Sequence, residues 1–442
     1  MSRSRPWSSA NPDLRRQTQV AAPAIEPLEQ ELYNLLSPTN FKPLRLEGDK
    51  DNKKLRERIL TLPVMMAVVL SLVYRQIAGL SEVVRLLSEE GLLWVEPLQV
   101  SKQALSKRLM RLPASAFARV FEQVLERLRP RQTQLSLPEG WRSLSENFQA
   151  VWIADGSTLE ELRRKLKALR DKPDTVLGGK MMMVVEAFSH RPVASWYTDD
   201  SKANDKTFAD NLLECLPQQG LLIFDLGFFK FGWFDAFSNA EKFFVTRLRE
   251  KTAYSVTRCL SQGLYFRDEI INLGQYRSNP CQHPLRLVSV LWGNTWYYYL
   301  TNVLDSQQLS AQQVCELYRC RWRVEEAFLL TKRLLGLAYL WVGDTNGVQI
   351  QIFASWIFYA VLNDLCSQLA VALNQPLERI SVEMVFRGLY HFAHAFLRGD
   401  ATDVVVYLKT KAKLLGVVKA RRKRHRDLDA HTQLIWSCPF LS

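Results

Sequence analysis

The chain has 442 residues, with 58 Lys and Arg against 45 Asp and Glu, a net charge of +13 and a pI near 9.4. Its 47% hydrophobic and 23% charged residues are ordinary globular composition, which excludes a disordered or collagen-like chain. The length predicts about two to four domains, and the positive excess points to a polyanion, either nucleic acid or an acidic membrane surface.

Residues 1–30, rich in Arg, Ser, Pro, Ala and Gln, read as a flexible basic tail. The apolar run Leu62–Tyr74 is shorter than the ~20 residues a bilayer span needs, and it reads as a buried helix. No secretory or membrane-spanning segment is expected, and seven scattered cysteines without CxxC spacing fit reduced thiols in a cytoplasm. Residues 31–145 predict an α-helical DNA-binding domain, with helices near 28–36, 53–76, 80–90, 101–112 and 114–129. The fourth carries Lys102, Lys107 and Arg108 on polar positions, as the second helix of a DNA-reading pair would. A helical bundle with solvated basic residues has the same pattern.

The period then changes. Strands are expected over 147–158, 180–188, 192–198, 220–225 and 242–249, with a helix over 204–216. This order predicts an α/β layer fold. Between 251 and 303 the pattern is β-rich, with a hairpin turn at Gly293-Asn294. Helices resume from Ser310, and 373–442 reads as a helical C-terminal region with a basic arm. Residues 401–426 hold nine Lys and Arg against Asp403 alone, a net +8. That arm, with Arg421, Arg422, Lys423 and Arg424, is expected to hold phosphate. Residues 148–225, by contrast, hold 10 basic and 12 acidic residues, or −2.

Three acids stand out. Asp155 in WIAD and Asp225 in LIFD each close an apolar strand, where functional groups gather in α/β sheets. A strand-end Asp that merely caps a turn has the same appearance. The third acid is Glu325, on the helix predicted over 316–337. At about 100° per residue, Tyr318, Arg321, Glu325 and Lys332 fall within an arc of roughly 60°. Leu317, Cys320, Val324 and Ala327 point mostly the other way. A solvated face with an Arg321–Glu325 ion pair is the plain alternative. Two Asp and one Glu suit two Mg²⁺ ions, hard cations that prefer oxygen, with Mn²⁺ expected to substitute. No organic cofactor is expected.

These residues carry a resemblance. Tyr318, two residues, Arg321, three residues, Glu325, six residues and Lys332 reproduce the signature of the DDE transposases of the insertion-sequence-four group, to which the Tn-five and Tn-ten transposases belong. Asp155 in ADGST matches that group's first acid and Asp225 in FDLGF its second. Arg247 in FVTRLR matches a basic residue on the following strand. Leu226 replaces the Arg usual after the second acid.

The resemblance covers about 145–365. It implies an RNase H-like catalytic domain (146–250 and 304–372) interrupted by a β-rich insertion (251–303). It also implies cut-and-paste transposition, with catalysis and metal binding by Asp155, Asp225 and Glu325. Tyr318, Arg321, Lys332 and Arg247 would contact DNA phosphates, and Trp296 is the candidate for stacking on a flipped base. The implied partners are double-stranded DNA, as terminal inverted repeats and target, and a second copy of the chain. The expected location is cytoplasmic, at the nucleoid. A DNA-binding repressor without catalysis, and a nuclease that cleaves without strand transfer, are the alternatives.

Overall fold

The computed structural model describes residues 21–41, 59–77, 79–134, 139–159, 179–200, 202–333, 335 and 344–420. The chain divides into two compact units. One comprises 1–131 and 330–418, the other 132–329 and 419–442.

The first unit is helical. Helix α1 (Glu26–Leu36) starts inside the stretch expected to be a tail. Ala22 and Ile25 are already buried, and Ala22 exchanges hydrogen bonds with Arg75 through its N–H (2.9 Å) and its carbonyl (2.7 Å). Helix α2 (Leu62–Tyr74) begins later than expected, since residues 59–61 are not helical and 53–58 lie outside the described residues. Pro63 sits in its first turn, where a missing N–H costs nothing.

Helices α3 (Leu80–Glu89) and α4 (Lys102–Arg111) follow as a pair. Gly91, at φ +77, makes the turn between them, where a Cβ would overlap the Val95 carbonyl. Ser101 caps α4 by accepting from the Ala104 N–H at 3.1 Å. Helix α5 (Ala114–Leu128) buries Phe117, Val120, Phe121 and Val124 on one face.

The second unit is built on a sheet. After helix α6 (Glu139–Asn147) come β1 (Ala150–Thr158), β2 (Lys180–Glu186) and β3 (Pro192–Thr198). A 3₁₀ turn over Asp205–Phe208 leads into α7 (Ala209–Cys215). Then come β4 (Gly220–Ile223), α8 (Phe231–Asn239) and β5 (Phe243–Arg247). Strands β1, β4 and β5 are parallel, and β2 is antiparallel to both of its neighbours.

The β-rich stretch gives β6 (Tyr254–Gln262), β7 (Phe266–Leu273), β8 (Leu285–Trp292) and β9 (Thr295–Thr301). It extends the same sheet, because β9 pairs antiparallel with β5. The order is β3-β2-β1-β4-β5-β9-β8-β7-β6. Gly293 takes φ +60 at the β8–β9 turn. An aromatic core of Phe224, Phe228, Trp233, Phe234, Phe237 and Phe244 packs behind β4.

The helix expected over 316–337 is two helices, α9 (Ala311–Cys320) and α10 (Trp322–Arg333), with Arg321 at the break. There the ladder tightens, with the Arg321 N–H donating to the Tyr318 carbonyl at 3.1 Å. Ser310 and Gln313 form a capping box that starts α9. Helix α10 carries the chain past Leu330 into the helical unit.

That unit is completed by α11 (Thr345–Ala372), α12 (Val382–Leu397), α13 (Val404–Thr410) and α14 (Ala412–Leu415). Helix α11 is long and apolar enough to cross a membrane, but its side chains are almost all buried within its own unit. Asn346, in its first turn, accepts from the Ala114 N–H (3.1 Å) and donates to the Leu112 carbonyl (2.6 Å). The N-terminal and C-terminal helices thus share one compact unit rather than forming the separate 31–145 and 373–442 domains expected.

Candidate active site

Asp155 does not end its strand. Parallel pairing of β1 with β4 stops at Ile153–Ile223, yet β1 continues against β2, where Asp155 faces Met183. The acid therefore lies beyond the parallel pairing but on rigidly held backbone. It is buried, and its Oδ1 accepts from the Gly156 N–H at 2.9 Å.

Asp225 follows Phe224 beyond the end of β4 and caps the 3₁₀ turn Leu226–Phe228, its Oδ1 accepting from the Gly227 N–H at 2.8 Å. Thr246 on β5 donates to the Asp225 carbonyl at 3.4 Å. Leu226 packs against the aromatic core, so that position offers no cation.

Arg321 joins sheet and helix. Its Nη1 donates to Asp155 Oδ2 at 2.7 Å and its Nη2 to Glu325 Oε1 at 2.9 Å. The expected Arg321–Glu325 pair is thus present, with Asp155 as a further partner. The Nε of Arg321 is buried without a hydrogen-bond partner, and its Cζ lies 5.0 Å from the centre of the exposed Trp322 ring. Burial pushes the Asp155 carboxyl up to about 7; Arg321 opposes this, while Asp225 and Glu325 add to it. Burial alone would lower the Arg321 pKa, but Asp155, Tyr318 and Glu325 outweigh it and hold the guanidinium above its usual range.

Tyr318, half-buried, packs on Tyr299 with ring centres 5.3 Å apart, and burial raises its pKa. Tyr299 stands opposite Arg247 in the β5–β9 register. Arg247 has a buried Nε without a hydrogen-bond partner and lies over Tyr297 at 5.7 Å. The structure therefore gathers Asp155, Asp225, Glu325, Arg321, Tyr318 and Arg247.

The other predicted residues stand elsewhere. Lys332 is two turns further along α10, beyond Leu330 and so within the helical unit. Trp296, half-buried on β9, lies under Arg267 at 5.8 Å. Lys102 and Lys107 are exposed on α4, and Arg108 is half-buried there. Arg421, Arg422, Lys423 and Arg424, and the side chain of Glu326, lie outside the described residues.

Sequence reasoning missed Asp205, which abuts Gly156 and Gly227 beside the two aspartates, and Lys180, which pairs with it. No motif marks them, because the glycines they touch are far away in sequence.

The donor chemistry fits a hard divalent cation. Three carboxylates share this region, and a guanidinium already stands between two of them as a positive charge would. As the side chains lie, no three acidic, His or Cys groups among the described residues form a ready-made metal cage. The residues that would hold an ion are thus Asp155, Asp225 and Glu325, with Arg321 displaced.

Residues 149–360 match the transposase DDE domain family. A protein of Sinorhizobium fredii named as the transposase y4zB is 26% identical over 306 residues, 66% of this chain and 79% of the relative. A protein of Geobacillus stearothermophilus named as the transposase of insertion sequence element IS5377 is 26% identical over 176 residues, 38% of this chain and 46% of that one. Among solved structures, a piggyBac transposase synaptic complex with hairpin DNA aligns over 94% of this chain and 91% of its own at 11% identity. Its TM-score of 0.34 is too low to add to the argument. The domain match and the two relatives support a DDE-type transposase.

Proposed function

We propose that this protein is a Mg²⁺-dependent transposase of the insertion-sequence-four group that excises and inserts its element by cut-and-paste. The observation that carries the reading is the double contact of Arg321 with Asp155 on the sheet and Glu325 on α10. It brings together acids far apart in sequence, with Asp225 close enough to raise the Asp155 pKa. The strand order β3-β2-β1-β4-β5, with β2 alone reversed, supports an RNase H-like core.

In this reading Asp155, Asp225 and Glu325 would hold two Mg²⁺ ions, which would supply Lewis-acid activation of an attacking oxygen and stabilisation of a leaving one. The protein's own residues do the rest. The phenol of Tyr318 and the guanidinium groups of Arg247 and Arg321 face the scissile phosphate, where bidentate pairing fixes its orientation. Lys332, two turns beyond Glu325 on α10, is assigned a phosphate further along the DNA than the scissile one. DNA is the partner, and a second copy of the chain binds the other element end.

The test incubates purified protein with labelled DNA carrying the repeats that flank the gene, in Mg²⁺. Wild type is expected to cleave at the element ends, and Glu325→Ala is expected to bind the DNA without cleaving it. Equal cleavage by both would end the reading.

A further inference from the structure

Asp205 lies outside the motif, yet its carboxylate sits between the two aspartates of the site. A Cβ placed on Gly156 would overlap Asp205 Oδ1, and one placed on Gly227 would come within 2.6 Å of Oδ2. One oxygen therefore abuts the residue after Asp155, and the other abuts the turn that Asp225 caps. The same two glycines hold the aspartate side chains: the Gly156 N–H donates to Asp155 Oδ1 (2.9 Å) and the Gly227 N–H to Asp225 Oδ1 (2.8 Å).

Asp205 is itself fixed. Lys180 Nζ lies 2.6 Å from its Oδ1, with the two side chains 13% and 18% exposed. That oxygen has the ion pair but no aligned hydrogen bond. Lys180 Nζ also donates to the Ala203 carbonyl at 3.1 Å, and Lys180 stands opposite Thr158 in the β1–β2 register. The cap of Asn204 on the Lys206 N–H (3.1 Å) fixes the turn that carries Asp205.

We propose that the Asp205–Lys180 pair is a positioning element that sets the separation of the Asp155 and Asp225 carboxylates. This rests on the reading of those aspartates as metal ligands. The physical argument is one of rigidity. Two ligands on separate elements bind an ion well only when their spacing is set before the ion arrives. Glycine is required at 156 and 227 because any side chain there would displace the wedge. A carboxylate suits the wedge because its two oxygens reach both glycines while the lysine holds it from β2. Asp205 touches neither substrate nor metal in this scheme; it acts through the two glycines.

The test measures Mn²⁺ binding to the full-length protein by equilibrium dialysis, together with DNA affinity and melting temperature. Asp205→Asn and Lys180→Met are each expected to weaken Mn²⁺ binding about tenfold, the scale of removing support behind a metal ligand. DNA affinity and melting temperature should stay near wild type. Lys180→Arg, which keeps the ion pair, should restore binding. The Asp205→Asn/Lys180→Met double variant should be no worse than either single one, because the two act as a unit.

Asp155→Asn serves as the control. If it loses Mn²⁺ while both pair variants bind as wild type, the positioning role is overturned and the metal site stands. If Asp155→Asn also binds as wild type, the metal-site reading itself falls. If both pair variants fail to fold, the pair is a structural support for the sheet, which also overturns the proposal.

Discussion

Two arginine–aspartate contacts among the described residues of the sheet unit differ in what else they touch. In the added strands, Arg286 on β8 meets Asp268 on β7 with two hydrogen bonds of 2.7 Å each, both side chains fully buried. Its remaining nitrogen donates to the Leu309 carbonyl at 2.6 Å, just before the cap of α9. One cation meets one acid and backbone carbonyls, and the helix carrying the motif is tied to the strands.

In the first half of the sheet, Arg321 divides between Asp155 and Glu325, leaves its Nε without a partner, and has Asp225 near by. Two cations, Arg321 and Arg247, stand there among three acids. A balanced pair needs nothing more, whereas a buried Asp155 with two further acids beside it calls for additional positive charge. That difference separates a structural contact from a site.

The largest effect should come from the balanced pair. Arg286→Met leaves Asp268 buried and unpaired, and is expected to cost about 3–5 kcal/mol of stability, read from denaturant unfolding. Replacing both residues by apolar ones of similar volume should recover most of that stability.

Arg321→Ala should behave in the opposite way. The melting temperature should fall less than for Arg286→Met, because removing Arg321 leaves carboxylates that a metal can satisfy. Mn²⁺ should bind about tenfold tighter, the scale of a neighbouring charge's effect on an acid. DNA cleavage should drop about 10²-fold, because the guanidinium no longer holds the phosphate. Weaker Mn²⁺ binding in Arg321→Ala would erase the difference between the two arginines.

The smallest effect on this comparison should come from removing residues 409–426. DNA affinity should fall, and the log–log slope of its salt dependence should flatten by about 0.9 for each phosphate the arm had neutralised. Mn²⁺ binding should not change. Affinity that stays the same at every salt concentration would count against a phosphate-binding arm.

The sequence shows the acids more clearly than their setting. Glu325 is legible from side-chain spacing, and Asp225 from the apolar strand that precedes it. Asp155 is found by the same pattern, although its strand continues, because periodicity does not show that β1 outlasts its parallel partner and runs on beside β2. The break at Arg321 leaves no mark either. The local sequence RCRWRVEE has no Pro or Gly, so the helical period reads straight through it. That β9 lies beside β5 skips three strands, a non-local pairing that no local pattern encodes. Asp205 is hidden for a similar reason, since its meaning depends on two glycines that only the fold brings to it.

The proposed mechanism turns on Asp155, Asp225 and Glu325 holding divalent metal, with Arg321 withdrawing from Asp155. An anomalous difference map from crystals of the protein grown with Mn²⁺ would reveal both events at once. Mn²⁺ is expected on these three carboxylates, with the Arg321 guanidinium moved away from Asp155. A map with no Mn²⁺ there, and Arg321 still bridging Asp155 and Glu325, would refute the shared metal site.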